Sequence, residues 1–264
     1  MELFINPVIF KLGFFELRWY SLAYIFGFIC AGLLAFYLNR FSSEVNILSK
    51  TKTESLINYS VIGVILGGRL GYVLFYEPVY FFNNPSQILA VWNGGMSFHG
   101  GFLGFLFSVL LFCKIKKHSV WNIFDRAAMC VLPGLFFGRI ANFINGELWG
   151  KKTDIAFSFI FPASGDLATR HPSQLYEAML EGFIPFIIFI ILLKTTNFFK
   201  REGLFSGLFI LLYGCARFFV EEFFREPDGV FNFGTIEVST GQLLSIPMII
   251  LGLILIKFKI RYQS

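Results

Sequence analysis

The chain has 264 residues, of which 56% are hydrophobic and 15% are charged, and its formal net charge is +5. A soluble globular domain carries about 25% charged residues, so this composition argues against a soluble enzyme and indicates a protein largely surrounded by lipid. The basic residues fall mostly in short loops, which indicates membrane orientation rather than nucleic-acid binding.

Seven apolar segments are predicted to cross the membrane as helices, although the third and fourth are marginal because the basic residues 114–117 separate them closely. The segments lie near residues 20–38, 57–75, 98–113, 121–138, 175–193, 203–224 and 242–258. Residues 1–18 are predicted to be an interfacial lead-in rather than a cleavable signal peptide. The sequence therefore predicts an all-α polytopic membrane protein, a single bundle over residues 1–264, with a small periplasmic segment within 139–174.

Basic residues in alternate loops predict the orientation of this bundle. With seven spans, every such cluster lies on one face, whereas the loop 76–97 contains no lysine or arginine. The positive-inside rule then places the C-terminus in the cytoplasm and the N-terminus outside. The clusters are Arg40, Lys50 and Lys52; Lys114, Lys116 and Lys117; Lys194, Lys200 and Arg201; and Lys257, Lys259 and Arg261.

Several charged or titratable residues lie inside or at the ends of the spans, where a charge costs free energy. The outer half of the bundle is expected to contain Arg69, His99, Arg139 and Arg217. These arginines outnumber the acids that the topology places beside them, which are Glu147 and either Glu221 or Glu222. Because guanidinium groups bind phosphate bidentately, this surplus of positive charge predicts a site for a phospholipid head group.

Three further charged residues near the span ends are expected to have structural roles. Asp125 and Arg126 are expected to form an interfacial pair near the cytoplasm. Arg225 is expected to extend its side chain to the outer surface, as long basic side chains near span ends do.

The stretch 138–150, GRIANFINGELWG, is the densest polar segment and follows a wholly apolar span. If the helix continues to Asn145, Arg139 and Asn142 are neighbours at i and i+3, and Gly146 permits a turn. Two interpretations stay open. Asn142, Asn145 and Glu147 orient the arginine and bind glycerol hydroxyls, or they form a well-capped helix end.

The sixth span presents Tyr213, Arg217 and Glu221 on one helix face, because the three residues are spaced four apart. A simple intrahelical salt bridge is the alternative interpretation.

In the third span, His99 is followed by Gly100 and Gly101, which leave room for a substrate. An imidazole is the natural general base near neutral pH, so His99 is the candidate base.

Several other chemistries are not supported by the sequence. The three histidines are widely spaced without HExxH, and no GxSxG motif or phosphate-binding glycine loop occurs. The four cysteines lie in apolar runs without CxxC spacing, so neither a disulfide nor a metal site is expected from them. No metal and no cofactor is therefore predicted.

Ordered motifs along nearly the whole chain resemble those of the bacterial phosphatidylglycerol–prolipoprotein diacylglyceryl transferases. The resemblance implies transfer of the diacylglyceryl group of phosphatidylglycerol to the lipobox cysteine thiol of a prolipoprotein, with release of glycerol phosphate. This would be the first step of lipoprotein maturation, in the bacterial cytoplasmic (inner) membrane, with membrane lipids as surroundings and a site facing the periplasm. The motifs are RWYSLAY (18–24), GGRLGYVLFY (67–76), GGMSFHGG (94–101), GRIANFINGELWG (138–150), HPSQLYE (171–177), YGCARFFVEEFFREPD (213–228) and GQLLSIPM (241–248).

The resemblance and the spacing together predict the site residues. The predicted catalytic residues are His99 as base, with Arg139 and Arg217 at the phosphate where negative charge grows. The predicted substrate-binding residues are Tyr20, Arg69, Gly100, Asn142, Asn145, Glu147, Gly150, Tyr213 and Glu221. The rival class is a phospholipid-binding or phospholipid-flipping transporter, which would use the same arginines without breaking a bond.

The chain departs from the family pattern at two places. Ala141 stands where the signature usually has glycine, which is a small change. The family also typically has one acid four residues after the arginine, whereas this chain has Glu221 and Glu222. Counting forward from Arg217 selects Glu221 and counting back from Arg225 selects Glu222. Helical phase favours Glu221, and the choice stays open.

Overall fold

The computed structural model describes residues 6–12, 15–41, 48–234 and 236–262. Within these ranges, seven helices are long and apolar enough to cross a membrane, at the seven predicted positions. They span Trp19–Phe41, Lys50–Phe75, Phe98–Lys116, Val120–Asn145, Ser173–Thr195, Leu204–Phe223 and Thr240–Ile260. The prediction of a mainly helical protein with seven spans is thereby confirmed.

The helices, in chain order, are α1 Trp19–Tyr37, α2 Lys50–Phe75, α3 Pro78–Asn83, α4 Phe98–Lys116, α5 Val120–Asn145, α6 Ser173–Glu177, α7 Ile184–Thr195, α8 Leu204–Phe223 and α9 Thr240–Tyr262. A π-helical segment, Ala178–Phe183, joins α6 to α7. Short antiparallel strand pairs lie outside the spans: β1 Val8–Leu12 with β2 Phe15–Arg18, β3 Phe159–Ile160 with β4 Thr169–Arg170, and β5 Val230–Phe233 with β6 Ile236–Ser239. The predicted interfacial lead-in thus contains the β1–β2 hairpin.

The chain divides into two compact units, and each is described by itself. The first unit holds Met1–Phe41 and Phe124–Ser264, and the second holds Ser42–Ile123. The single bundle over residues 1–264 therefore stays a prediction.

In the second unit, glycines spaced four apart bring α2 and α4 into backbone contact. A Cβ atom on Gly71 would lie 2.7 Å from Cα of Gly100, and one on Gly67 would lie 2.7 Å from Cα of Gly104. No side chain fits there, so the two helices pack at the close distance that small residues allow in membranes.

In the first unit, the carboxylate of Asp125 caps the start of α8. Asp125 accepts hydrogen bonds from the backbone N–H groups of Gly203, at 2.6 Å, and Ser206, at 2.7 Å. The Ser206 hydroxyl donates a third, at 2.6 Å. Asp125 and Arg126 are both buried, and the expectation that they form an interfacial pair near the cytoplasm stays a prediction. Asp125 supplies acceptors to helical N–H groups that have no partner within their own helix.

Residues 146–172 lie outside the spans, within the range predicted to include a periplasmic segment. Arg170 contacts Asp166 within this segment and Glu226 in the residues after α8, each at 3.1 Å, so it joins the two. Lys152 contacts Asp166 at 2.9 Å. The Lys152 ammonium and the Arg170 guanidinium hold the pKa of the Asp166 carboxyl well below its usual range.

Replacing Asp166 with asparagine is expected to loosen this segment slightly at neutral pH. The folded pKa lies below the unfolded value of about 3.9, so the stabilisation is present above that pH and is lost as pH falls through the folded pKa. Amide hydrogen exchange over residues 151–170 measures the effect, with the exposed Asp154→Asn as the matched control. A difference between Asp166→Asn and the wild type that persists in strong acid would contradict this account.

Candidate active site

Six charged side chains of alternating sign meet in the first unit, and we call them the Arg–Glu cluster. They come from α5, from the α6–π–α7 span, from α8 and from the residues just after α8. The members are Arg139, Glu177, Glu181, Arg217, Glu221 and Arg225.

Glu177 is the centre of the cluster, because its two oxygens contact three arginines. Its Oε2 lies 3.1 Å from Nη1 of Arg139, and its Oε1 lies 2.5 Å from Nη1 of Arg217 and 3.1 Å from Nη1 of Arg225. The Glu177 side chain is fully buried. Hydrogen bonds between ionised partners are about twice as strong as neutral ones, so Glu177 ties together residues distant in sequence.

Glu181 and Glu221 are the other two acids of the cluster. Oε2 of Glu181 accepts two hydrogen bonds from Arg139, from Nε at 3.2 Å and from Nη2 at 3.0 Å. Glu221 lies 3.0 Å from Nη2 of Arg217 and 3.7 Å from Nε of Arg225. Each arginine therefore contacts at least two carboxylates, which offsets the cost of burying its charge.

The expected surplus of buried positive charge is wrong for the described residues, because each guanidinium of the cluster has carboxylate partners. The acids that the expectation missed are Glu177 and Glu181 of the fifth span. Their sequence signal was two acids, four residues apart, inside an apolar segment. The expectation that Arg225 extends its side chain to the outer surface is also wrong, because that side chain is 3% exposed and contacts Glu177.

The π-helical segment explains how the fifth span delivers both acids to α5. Pro185 has no N–H to donate to the preceding turn, which favours a local change of helical hydrogen bonding. Gly182 packs directly on α5, where an added Cβ would lie 2.8 Å from the backbone of Phe136. This close approach occurs three residues before Arg139 and brings Glu181 within reach of its guanidinium.

The accessible part of the cluster is cationic. The side chains of Arg139 and Arg217 are each 16% exposed, whereas Glu177 and Glu181 are fully buried. An anion that reaches the cluster therefore meets guanidinium groups first, with the carboxylates behind them. The face of α8 that carries Arg217 also carries Tyr213, which lies four residues earlier in the helix.

A second cluster of polar side chains lies where α5 ends. Asn142 donates from Nδ2 to the Tyr20 hydroxyl at 3.2 Å and to Oε1 of Glu147 at 2.6 Å. As predicted, the helix continues to Asn145, and Gly146 turns the chain with a φ of +68°. Helix termination and side-chain clustering therefore occur together. Asn145 Oδ1 is buried with no hydrogen-bond partner within the described part of the chain.

The two acids of α8 that are candidates for the site, Glu221 and Glu222, have different surroundings. Glu221 is buried and faces Arg217, whereas Glu222 is exposed and accepts a hydrogen bond from Gln242. The geometry therefore supports Glu221 as the member of the cluster. Gly241 lies so close that a Cβ there would contact the Glu221 carboxylate.

Gly150 joins three segments of backbone. Its N–H donates to the carbonyl of His171 at 3.0 Å, and its own carbonyl accepts from Arg170 at 3.1 Å. A Cβ at Gly150 would lie 2.5 Å from the carbonyl oxygens of both His171 and Phe224. This geometry gives Gly150 a structural role beside the cluster.

The remaining predicted site residues lie in the second unit. His99 is exposed in the first turn of α4, with its ring 5.7 Å from that of Phe98, and Gly100 packs against α2. Whether they converge with the arginines of the first unit stays a prediction.

Arg69 is buried, and its guanidinium donates to backbone carbonyls, which supports a structural role rather than a head-group contact. The acceptors are Gln87 (2.7 Å), Ile88 (2.7 Å), Gly94 (2.5 Å) and Gly95 (3.2 Å).

The fold and the site together define a multi-pass membrane protein with a buried ion-pair cluster whose accessible groups are cationic. The sequence matches the prolipoprotein diacylglyceryl transferase family over residues 7–258, and the chain belongs to that family.

Relatives match over nearly the whole chain, and each bears the name phosphatidylglycerol–prolipoprotein diacylglyceryl transferase. The protein of Oleidesulfovibrio alaskensis is 49% identical over 262 residues, which cover 98% of this chain and 95% of that protein. The protein of Ehrlichia canis is 48% identical over 254 residues, covering 96% and 95%. The protein of Rhodospirillum rubrum is 44% identical over 251 residues, covering 95% and 90%.

Proposed function

We propose that this protein transfers the diacylglyceryl group of phosphatidylglycerol to the lipobox cysteine of prolipoproteins, the first step of lipoprotein maturation. The family match over residues 7–258 carries this conclusion. The accessible guanidinium groups of Arg139 and Arg217 support it, because they suit the phosphate of an anionic lipid.

The reaction is an alkyl transfer. The cysteine thiol loses its proton, since the thiolate is the nucleophile, and its sulfur bonds to the terminal glycerol carbon of the diacylglyceryl unit. The carbon–oxygen bond to phosphate breaks, and glycerol phosphate leaves with the bonding electron pair. Negative charge grows on the phosphate, so cations there lower the barrier.

Each group of residues has a role in this scheme. Arg139 and Arg217 bind the phosphate and stabilise the leaving group, while Glu177, Glu181 and Glu221 position the two guanidiniums. The head group of the donor is positioned by Tyr20, Asn142, Asn145, Glu147 and Tyr213. His99 takes the thiol proton.

The proposed setting is the bacterial cytoplasmic membrane, with the site opening toward the periplasm. The basic clusters in alternate loops support a cytoplasmic C-terminus and an external N-terminus. Under this topology the outer ends of α5 and α8, which carry Arg139 and Arg217, lie near the periplasmic side.

The function is tested by incubating the purified protein with phosphatidylglycerol and a lipobox peptide. A gain of one diacylglyceryl mass on the cysteine is the expected result, and a peptide with serine at that position is the matched control. Movement of lipid between leaflets without a mass gain would instead indicate a flipping transporter. Head-group release without peptide would indicate a lipase.

Replacing His99 with glutamine is expected to lower turnover by about 10²–10⁴-fold, the usual contribution of a general base. Raising the pH should partly restore turnover, because a thiol with a pKa of about 8.5 then ionises without a base. His118→Gln, two residues beyond the other end of α4, is the matched control and should retain activity. A His99→Gln variant with wild-type turnover would remove His99 from the mechanism.

A further inference from the structure

The loop 76–97 between α2 and α4 exposes large apolar side chains. Phe82 is 87% exposed, Trp92 80% and Val79 74%. Soluble proteins rarely expose large apolar patches to water unless they are interaction surfaces, so we expect something other than water to cover these side chains.

The composition of the loop matches the boundary between membrane and water. It contains no lysine or arginine, and Glu77 is its one acid. Tyr76, Tyr80 and Trp92 are of the two residue types that concentrate at both membrane interfaces, where one end of the ring is apolar and the other wet. The loop is also continuous with two spans, since α2 ends at Phe75 and α4 begins at Phe98.

Irregular backbone enters a membrane only where its polar groups are satisfied. Arg69 meets this requirement from the outer part of α2, because three of its nitrogens donate to four carbonyls of the loop. The ring of Phe81 lies 4.9 Å from the Arg69 guanidinium carbon and adds a cation–π contact. The loop thus has its backbone bonded inward and its apolar side chains directed outward.

We propose that the loop 76–97 is embedded in the interfacial layer of the bilayer, with lipid covering its exposed apolar side chains and Arg69 as the positioning residue for its backbone. Trp92 lies at the level of the lipid head groups and the first acyl carbons. This inference is independent of the transfer reaction, because it concerns where the loop lies and not what the cluster does.

Tryptophan fluorescence tests the inference in the full-length protein, reconstituted in vesicles of phosphatidylcholine and phosphatidylglycerol. Trp19→Phe, Trp121→Phe and Trp149→Phe leave Trp92 as the reporter. The matched control adds Trp92→Phe and Leu167→Trp, which moves the reporter to an 83% exposed position outside the spans. Each variant is measured with acyl chains brominated near the head group and with iodide in the aqueous phase.

Trp92 should be quenched several-fold more by brominated lipid than the reporter at 167, and several-fold less by iodide. Equal quenching of the two reporters by iodide would place the loop in water and overturn the proposal. Protection of Trp92 from iodide that appears only on adding lipobox peptide would also overturn it, in favour of a peptide-docking surface.

Arg69→Gln should raise iodide quenching of Trp92, and unchanged quenching in that folded variant would remove Arg69 as the positioning residue. If Arg69→Gln fails to fold, the comparison of Trp92 with position 167 still decides where the loop lies.

Discussion

Replacing Glu177 with glutamine is expected to lower kcat for diacylglyceryl transfer by about 10²-fold and to lower the KM for phosphatidylglycerol. The loss of kcat follows because Glu177 positions Arg139, Arg217 and Arg225, and a displacement of about 1 Å at reacting groups costs rate on this scale. The fall in KM follows because the variant carries an excess buried positive charge, which attracts an anionic head group more strongly. A purely structural role would not lower KM.

The same substitution should destabilise the protein by about 3–5 kcal/mol, since removing one partner leaves buried charge uncompensated. Unfolding in mixed micelles measures this change in free energy, and initial rates against lipid concentration give kcat and KM. Glu222→Gln is the matched control, because Glu222 is exposed and outside the cluster. If Glu177→Gln and Glu222→Gln behave alike, Glu177 does not organise the site.

Replacing Arg139 with lysine is expected to lower kcat by about 10²–10³-fold while the protein stays folded. Lysine keeps the positive charge that Glu177 and Glu181 require, so the cluster stays balanced. It loses the planar fork that donates to Glu181 from Nε and Nη2 at once and that would hold the phosphate. The expected loss is that of a preorganised donor at developing charge.

Two comparisons make the Arg139 experiment specific. Arg170→Lys is the matched control, because Arg170 also lies between two acids but outside the spans, and it should retain turnover. Arg139→Ala should abolish transfer, and the double variant with Glu181→Gln should recover stability without recovering turnover. Wild-type turnover by Arg139→Lys would show that a charge at this position suffices and that the fork has no role.

The spans were predictable because a helix in lipid satisfies its own backbone and needs only a long apolar segment, which is a local property of the sequence. Their ends were less predictable. The second span begins at Lys50 rather than 57, where Ser49 accepts a hydrogen bond from the Lys52 N–H at 3.3 Å. This capped first turn of α2 is polar, so a hydropathy pattern does not detect it.

The candidate site was predictable in part. Tyr20, Asn142 and Glu147 were selected from their motifs, and the structure joins them through Asn142. Helical phase favoured Glu221, and the structure places it against Arg217. These cases depend on short spacings along one helix, or on motifs that the resemblance marked.

The sequence by itself determined that this is a seven-span membrane protein, which residue types line its polar sites and to which family it belongs. Only the tertiary structure decided which charges are paired. Arg139 and Glu181 are 42 residues apart, and Arg225 and Glu177 are 48 apart. The first of these contacts depends on the close approach of the π-helical segment to α5 at Gly182. Ion pairing depends on distances of a few ångströms between separate helices, and neither composition nor periodicity specifies such distances.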